Sequence, residues 1–599
     1  MYRGSLSFIV NHTVDRVRRS KQSISIHFLV LCYCFVTQSV SVGTMIIILI
    51  WVAVLIAVVV LYLRQLYSTF SRHGVKHFKP FPLLGNMNKI IFRMKHMAFD
   101  LQDLYNAYPE EKFVGRFEFM NEAVLIRDLE LVKKVCVKDF EYFVDHRSFG
   151  DDSFFGRTLF LLRGQEWKDM RSTLSPAFTS SKIRLMVPFM VEVGDQMIVS
   201  LKKKIAESKG GYIDIDCKDL TTRYANDVIA SCAFGLKVDS QTEQNNEFYV
   251  MGKAATNFNF LQILKFFLIL NIPRVTKMFK LDLVTKSVQK FFTNLVLDTM
   301  KEREMRNIVR PDMIHLLIEA KKGKLSHDDV KSNDDATGFA TVEESSVGLR
   351  NVINREWSDN DLVAQAFLFF VAGFESVSSS VCFLLYELAI NPDVQERLAQ
   401  EIREYDAKNG GKFDFNSIQS MKYMDMVVSG KTRSIRAEEV IIISNYIQMV
   451  TLFLELLRRW PTAVATDRIC QKDYNIGKPN ATAEKDFIVR KGTAIMIAAF
   501  AFHHDPQYFP EPEKFDPERF SDENKHKINP TAYMPFGVGP RNCIGSRFAL
   551  CEMKVITYQI LRHFELSPCE KTCIPPRLAT DNINLRLQGG HWLRFKLRK

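Results

Sequence analysis

The stretch PFGVGPRNCIG, from Pro535 to Gly545, surrounds a single cysteine with glycines, prolines and an arginine. Its glycines and prolines disfavour regular structure around Cys543, and the apolar pattern that begins at Phe548 predicts a long amphipathic helix just after it. A cysteine beside a helix N-terminus experiences the helix dipole and nearby backbone N–H donors, which lower the thiol pKa. We therefore expect Cys543 to be a thiolate that binds a metal.

The loop resembles the haem-binding loop of cytochrome P450 enzymes, F-x-x-G-x-R-x-C-x-G, at Phe536, Gly539, Arg541, Cys543 and Gly545. The resemblance implies haem b (iron protoporphyrin IX) as the cofactor and Cys543 as the axial ligand, whose thiolate donates electron density that favours O–O cleavage. It also implies that Phe536 packs beside the sulfur and that Arg541 pairs with a haem propionate. The alternative is a buried structural cysteine, which the five matched positions disfavour.

A long helix is predicted from Asp361 to Ile390, since a Ser-Asp-Asn-Asp cap begins at Ser358 and Asn391-Pro392 ends the pattern. The helix is apolar on all sides, so we expect it to be buried.

The middle of this helix, Ala372-Gly373-Phe374-Glu375-Ser376, resembles the oxygen-activation segment of the same family. The resemblance implies that Ala372 and Gly373 form a notch for dioxygen and that Glu375 and Ser376 relay protons. The family usually has threonine where this chain has Ser376, and serine lacks the methyl group that fixes the rotamer. Looser coupling of oxygen reduction to product is therefore expected. Alternatively, Ser376 only bonds back to a helix carbonyl.

Three further elements follow the family order. Glu455-x-x-Arg458 alone would indicate only a surface ion pair. Together with Arg519 in Pro517-Glu-Arg-Phe520, it resembles a buried network that supports the haem loop. Trp167 and Arg171, in W-x-x-x-R, resemble a helix that adds propionate contacts, with an amphipathic surface helix as the alternative.

The bulk composition is that of a globular protein. The chain has 599 residues, 47% hydrophobic and 25% charged, which excludes a mostly disordered or polytopic membrane chain. Its formal net charge of +12 suits an anionic membrane or an acidic protein partner, and no nucleic-acid motif accompanies it. The cysteines show no zinc-like spacing, so a reducing compartment is expected.

The uninterrupted apolar run from Met45 to Leu63 is long enough to form a transmembrane helix. Basic residues follow it from Arg64 to Lys79, which places the C-terminal bulk in the cytoplasm. A cleaved signal peptide is the alternative. The resemblance implies a single-pass protein of the endoplasmic reticulum membrane.

Two segments do not fit this design. We expect residues 1–44 to be a non-native N-terminal extension, with Met45 as the natural start. Residues 430–454 interrupt the sequence before Glu455 with a basic start and a β-branched run, which suits a buried helix poorly. A retained intron is the favoured explanation, and a genuine surface insertion is the alternative.

The predicted fold class is mainly α with small β-sheets. Alternation around Gly115 and Asn121 predicts a hairpin from Phe113 to Arg127, and two alternating runs joined at Gly589-Gly590 predict a C-terminal hairpin. The resemblance implies a triangular helical prism around a buried haem, at 88–599, after a basic and proline-containing hinge at 64–87.

The expected reaction is insertion of one oxygen atom from O2 into a small lipophilic substrate. Phenylalanines concentrate at Phe149–Phe160 and Phe258–Phe267, where the family places substrate-contacting loops, although such patterns are more often plain core. Arg541, Arg547 and Lys554 give the cysteine-side surface a positive bias, which suits an acidic flavoprotein. The implied partners are NADPH-cytochrome P450 reductase and, as a second donor, cytochrome b5.

Three rival functions stay open at this point. A haem-thiolate isomerase or synthase would need no reductase, and a catalytically impaired haem-binding relative would fit if 430–454 disturbs the site. A multispan transporter would need several uninterrupted apolar spans, whereas only Met45–Leu63 qualifies. The run Asp467-Arg-Ile-Cys470 resembles insect microsomal members associated with xenobiotic metabolism.

Overall fold

The computed structural model describes residues 42–148, 153–256, 260–272, 278–279, 281–322, 356–410 and 451–598. Most of these residues are helical, as predicted. The helices are α1 Val42–Leu66, α2 Thr69–Arg72, α3 Asn88–Ile91, α4 Met97–Asn106, α5 Leu129–Lys133, α6 Gly164–Leu174, α7 Ser180–Glu207, α8 Cys217–Ile229, α9 Glu247–Thr256, α10 Phe260–Asn271, α11 Lys286–Arg306, α12 Met313–Lys321, α13 Asp359–Ile390, α14 Pro392–Asn409, α15 at 451–459, α16 Ala499–His503 and α17 Ser546–His563.

The described strands form small sheets, as predicted. They are β1 Phe113–Glu118, β2 Asn121–Ile126, β3 Tyr212–Asp216, β4 Thr466–Ile469, β5 Tyr474–Gly477, β6 Phe487–Val489, β7 Ala494–Ile497, β8 Phe564–Ser567 and β9 Trp592–Leu597. The sheet orders are β1-β2-β7-β4, β3-β9-β8 and β5-β6. β1 and β2 pair antiparallel at one edge of the first sheet, so the hairpin prediction for Phe113 to Arg127 is confirmed.

The predicted C-terminal hairpin is wrong. β9 pairs with β3 and β8, whereas the run before Gly589 contributes only an isolated bridge between Leu587 and Leu578. Leu593 and Phe595 of β9 are fully buried. Pairing with both neighbouring strands gives β9 ladder hydrogen bonds on both edges, which a local hairpin would not.

Helix α13 forms the centre of the domain. Ser358 caps it through a reciprocal bond with Asp361, as the sequence predicted. The helix is as long and apolar as a membrane span, but 67% of that window is buried inside the protein. It is therefore a core helix and not a second membrane span, so it does not support a multispan transporter.

Helix α1 belongs to a unit that ends at Thr69, and its residues Met45–Leu66 are long and apolar enough to cross a membrane. The helix extends past the predicted end at Leu63. Residues 1–41 lie outside the described residues, so the expectation of an N-terminal extension stays a prediction.

The boundary predicted for the insertion needs one correction. Residues 430–450 lie outside the described part of the chain, whereas 451–454 are helical and continue into Glu455. Leu452 and Phe453 are 1% exposed, and Leu454 is 5% exposed. Burial of these side chains stabilises the core, so 451–454 are not part of a surface excursion.

Candidate haem-thiolate site

The cysteine loop is held by its backbone. The N–H of Cys543 donates to Phe536 O at 2.9 Å, which closes the loop just before α17 begins. Gly539 has a φ of +76°, and a Cβ there would lie 2.0 Å from Cys136 O. Only glycine fits this approach, so Gly539 fixes where the loop packs. Phe536 packs against the central hydrophobic core.

The predicted direction of the Cys543 pKa is wrong. Burial raises the pKa of the Cys543 thiol, because the thiolate is desolvated. The N–H of Gly545 and the charge of Arg171 act in the expected direction, but they are smaller effects. A thiolate at this position therefore needs stabilisation beyond the helix terminus.

Cys543 nevertheless keeps accessible surface. A side chain that is surrounded by protein atoms can still have accessible surface if it lines an internal space. We interpret Cys543 in this way. On helix α13, Ala372 is exposed, although Phe370 and Phe374 beside it are 0% and 1% exposed.

Phe178 connects this face to the cysteine loop. Its ring centroid lies 5.2 Å from that of Phe369 on α13, and a Cβ on Gly545 would lie 3.7 Å from the Cε1 atom of Phe178. Ile544 packs against the same hydrophobic cluster as Phe369. The cysteine loop and the middle of α13 therefore share one apolar neighbourhood.

The two residues predicted to relay protons have different surroundings. Ser376 Oγ donates to Ala372 O at 2.5 Å, as the alternative interpretation expected. Glu375 Oε1 lies 3.2 Å from Lys218 Nζ, accepts from Ser379 Oγ at 3.2 Å and lies 3.4 Å from Arg586 Nη2. The Ser376 bond does not exclude a catalytic role. Gly373 packs against Ile229, which a Cβ at Gly373 would meet at 2.4 Å.

A cluster of buried guanidinium groups lies beside the loop. Arg541 is 2% exposed and stacks 4.1 Å over the buried Trp167 ring. It donates to the carbonyls of Val144, Leu159, Phe160 and Leu162 and to Asp145 Oδ1. Because it is buried, Arg541 cannot contribute to the surface docking charge as predicted.

Arg171 joins the same cluster through the loop backbone. Its Nη1 donates to Asn542 O at 2.9 Å and its Nη2 to Asn542 Oδ1 at 2.7 Å, one residue before Cys543. The predicted proximity of Trp167, Arg171 and Arg541 is thus present in the structure.

Sequence reasoning missed a third arginine, Arg468 on β4, which is 1% exposed. Its Nη1 donates to Thr466 Oγ1 and Asp467 O, but its buried Nε has no hydrogen-bond partner among the described residues. Burial and then the charge of Arg468 lower the pKa of Arg541 to about 9, against the opposing effect of Asp145. Because the burial of Arg468 is set by the elements packed around β4, no pattern in the sequence singles it out.

The charges fit a bound dianion. Asp145 is the carboxylate that contacts Arg541, and Arg468 and Arg171 add positive charge nearby. Buried cations require anionic partners. The two propionates of haem would meet this requirement, with Arg468 Nε as an available donor, so the residues present fit the group.

The predicted supporting network is assembled in the structure. Glu455 and Arg458 are 0% exposed and form two hydrogen bonds of 2.8 and 2.9 Å. Arg519 Nε lies 3.5 Å from Glu455 Oε1. His503 Nδ1 lies 3.0 Å from Arg458 O, and His503 Nε2 accepts from Met534 N at 2.9 Å. This histidine therefore connects the network to the segment that enters the cysteine loop.

The predicted substrate segments are described only in part, because 149–152 and 257–259 lie outside the described residues. Phe154 contacts Phe367 of α13 with ring centroids 5.1 Å apart, whereas Phe267 belongs to a different cluster with Met87 and Phe119. The first segment thus lies against the central helix.

The family model described as cytochrome P450 matches residues 75–355, 351–430 and 445–592. The chain belongs to the cytochrome P450 family. It is 42% identical to "Cytochrome P450 9e2" of Blattella germanica over 538 residues, covering 88% of this chain and 93% of the relative. It is 41% identical to "Probable cytochrome P450 9f2" of Drosophila melanogaster over 537 residues, covering 88% and 94%.

"Probable cytochrome P450 6a13" of Drosophila melanogaster is 34% identical over 537 residues, covering 89% of this chain and 95% of the relative. Membership of the cytochrome P450 family implies haem iron as the cofactor and a monooxygenase reaction in general. It also implies a redox partner and a small substrate.

Proposed function

We propose that this P450 is a membrane-anchored monooxygenase of the endoplasmic reticulum, with its catalytic domain in the cytoplasm. It inserts one oxygen atom from O2 into small lipophilic substrates, either xenobiotics or endogenous lipids and hormones. Electrons come from NADPH through a reductase. The observation that carries the proposal is that Cys543 keeps accessible surface in a loop flanked by the buried Arg541 and by Arg171, which bonds to Asn542.

The residues of the site have distinct roles in this proposal. Cys543 would hold the haem iron through its sulfur, and Arg468, Arg171 and Arg541 with Trp167 would hold the propionates. Haem iron, when bound, supplies the activation of dioxygen. Cys543 would bind the iron as a thiolate, although desolvation favours its thiol form when no metal is bound.

Helix α13 supplies the opposite wall and the proton path. Ala372 leaves space over the site, whereas Gly373 is packed against Ile229. Glu375 holds and passes protons drawn from its contacts with Lys218 and Ser379. Ser376 receives a proton from this side and donates it toward the substrate space, for which its hydroxyl must leave Ala372 O. Phe369 and Phe178 exclude bulk water from the apolar wall.

The ligand assignment is tested by the carbon-monoxide-difference spectrum of the reduced protein. The spectrum of the chain expressed from Met45 should show the strongly red-shifted Soret band of thiolate ligation. Cys543→Ala should abolish this band. The matched control is Cys551→Ala, a buried cysteine on the adjoining helix, which should keep it. A red-shifted band in Cys543→Ala would overturn the assignment.

Reductase dependence separates the proposal from the isomerase or synthase alternative. Turnover of a lipophilic test substrate should require NADPH, O2 and a P450 reductase. Conversion without a reductase would favour the isomerase or synthase. A normal haem spectrum with no turnover, with and without residues 430–450, would favour a catalytically impaired relative.

A further inference from the structure

A polar cleft of about 400 Å³ includes Lys218 and Arg586, the two residues that contact Glu375 of α13, among its lining residues. Its charged and titratable lining consists of Arg93, Asp216, Lys218, Asp581, Arg586 and His591. Phe260 lies at its edge. The cleft therefore combines side chains from α8, from the beginning of α10 and from the chain before β9.

Two of these groups, Asp216 and Lys218, already have hydrogen-bond partners within the protein. Asp216 Oδ1 accepts from the backbone N–H groups of Lys218 and His591, each at 3.1 Å. Lys218 Nζ donates to Ser378 and Ser379 at 2.7 and 2.9 Å and lies 3.2 Å from Glu375. Neither group has much capacity left for a ligand.

The two arginines of the cleft, Arg93 and Arg586, keep N–H donors for a ligand. Arg586 reaches Glu375 only through Nη2, at 3.4 Å, and its buried Nε has no hydrogen-bond partner within the part of the chain that the structure describes. Arg93 is exposed, and its guanidinium lies 5.0 Å over the Phe260 ring. The carboxylate of Asp581 also lines the cleft, and its negative charge offsets part of the positive charge of the two arginines.

The electrostatic effect of these cations is visible at His591. Burial, followed by the charges of Lys218 and Arg586, lowers the pKa of His591 to about 3. The histidine is therefore neutral at physiological pH, and it adds no positive charge of its own.

Large apolar side chains flank the cleft. They are exposed to the following extents: Phe92 60%, Met94 71%, Phe260 44% and Leu261 65%. Beneath them, Ile90 and Ile91 pack with Phe267 of α10 and with Ile583 in one hydrophobic cluster. We call the four exposed side chains the apolar rim. The cluster beneath packs this rim against the segment before Arg586.

We propose that the cleft binds the acidic headgroup of an amphipathic lipid, with Arg93 and Arg586 on the headgroup and the rim on its chains. Guanidinium groups bind carboxylate and phosphate oxygens in a paired geometry. An exposed apolar patch beside a cationic cleft matches a molecule with an acid at one end and hydrocarbon at the other. The same chain carries the candidate membrane helix α1, so such lipids would be at hand.

The test uses the full-length holoprotein and dioctanoyl phosphatidic acid, an acidic lipid that is soluble as a monomer. Arg93→Glu should weaken its binding about tenfold or more, since a charge-assisted contact is replaced by repulsion. The matched control is Arg306→Glu, another exposed arginine whose side chain is 69% exposed, which should bind as the parent does. Dioctanoyl phosphatidylcholine, with the same chains, should bind at least tenfold more weakly than the acid.

A second variant tests the rim separately. Leu261→Glu should weaken the lipid but leave the binding of inorganic phosphate unchanged. Equal affinity for the acidic lipid and inorganic phosphate would overturn the lipid assignment in favour of a free anion. Unchanged lipid binding by Arg93→Glu would overturn the site, because lipid held in the substrate cavity would not depend on Arg93.

Discussion

Two sets of buried arginines in this protein differ in their surroundings. Arg458 has Glu455 beside it and donates to His503 O and Pro512 O at 2.8 and 2.7 Å. Arg468, equally buried, has neighbouring cations and an Nε without a hydrogen-bond partner among the described residues. The protein alone balances the first set but not the second.

The difference separates charges that stabilise the fold from charges that await a ligand. A buried ion pair with all its hydrogen bonds made is lost only at the cost of an uncompensated charge. A buried cation without a counterion destabilises the protein until an anion binds. Substitution of a buried arginine should therefore destabilise the fold in the Arg458 network, but should mainly weaken ligand binding in the Arg468 cluster.

Substitution in the balanced network should have the largest effect. Arg458→Met leaves the buried Glu455 with only the longer 3.5 Å contact to Arg519 as an ion pair, which should lower the free energy of unfolding by about 3–5 kcal/mol. Urea unfolding followed by tryptophan fluorescence measures this. The control is the double variant Glu455→Leu with Arg458→Met, which removes both charges and should recover much of the loss. A double variant as unstable as the single one would contradict the argument.

Substitution in the unbalanced cluster should affect the cofactor more than the fold. Arg468→Met would remove the donor proposed for a propionate, worth roughly 2 kcal/mol, and should speed haem loss to apomyoglobin by about tenfold or more. It also relieves repulsion with Arg541, so the thermal midpoint should change little. Arg490→Met, with a side chain 72% exposed, is the control. An unchanged rate of haem loss together with a large fall in stability would assign Arg468 to the fold.

Features with a local cause were predictable from the sequence. The cap at Ser358 and the all-round apolar composition are enough to define α13, and alternation about a turn defines the β1–β2 hairpin. The burial of the Glu455 and Arg458 pair was predictable only through the family resemblance, because its spacing alone indicates a surface ion pair.

Features that depend on distant segments were not. β9 pairs with β3, which comes far earlier in the chain, so the local alternation beside Gly589 was misleading. Arg468 was missed because its burial depends on the elements packed around β4. The direction of the Cys543 pKa was wrong for the same reason, since desolvation is set by the whole fold.

The smallest expected effect concerns histidines beside the balanced network. Burial, and then the charge of Arg458, lowers the pKa of His504 to about 3. The folded state thus keeps His504 neutral, while the unfolded state binds a proton below about pH 6.5. Stability should fall as the pH drops from about 6.5 toward 3, and His504 should contribute about 1 kcal/mol of this loss at about pH 5.8.

His504→Asn isolates this contribution, because Asn can keep the donor that Nδ1 directs at Phe500 O, 2.9 Å away, without titrating. The difference in unfolding free energy between parent and variant should narrow by that amount between pH 7 and about pH 5.8. His526→Asn, at an exposed position, should keep the parent's pH dependence. An identical pH dependence for the His504 variant and the parent would mean that the histidine is protonated in the folded protein. The network around Arg458 would then tolerate an extra buried charge, and the contrast with the Arg468 cluster would weaken.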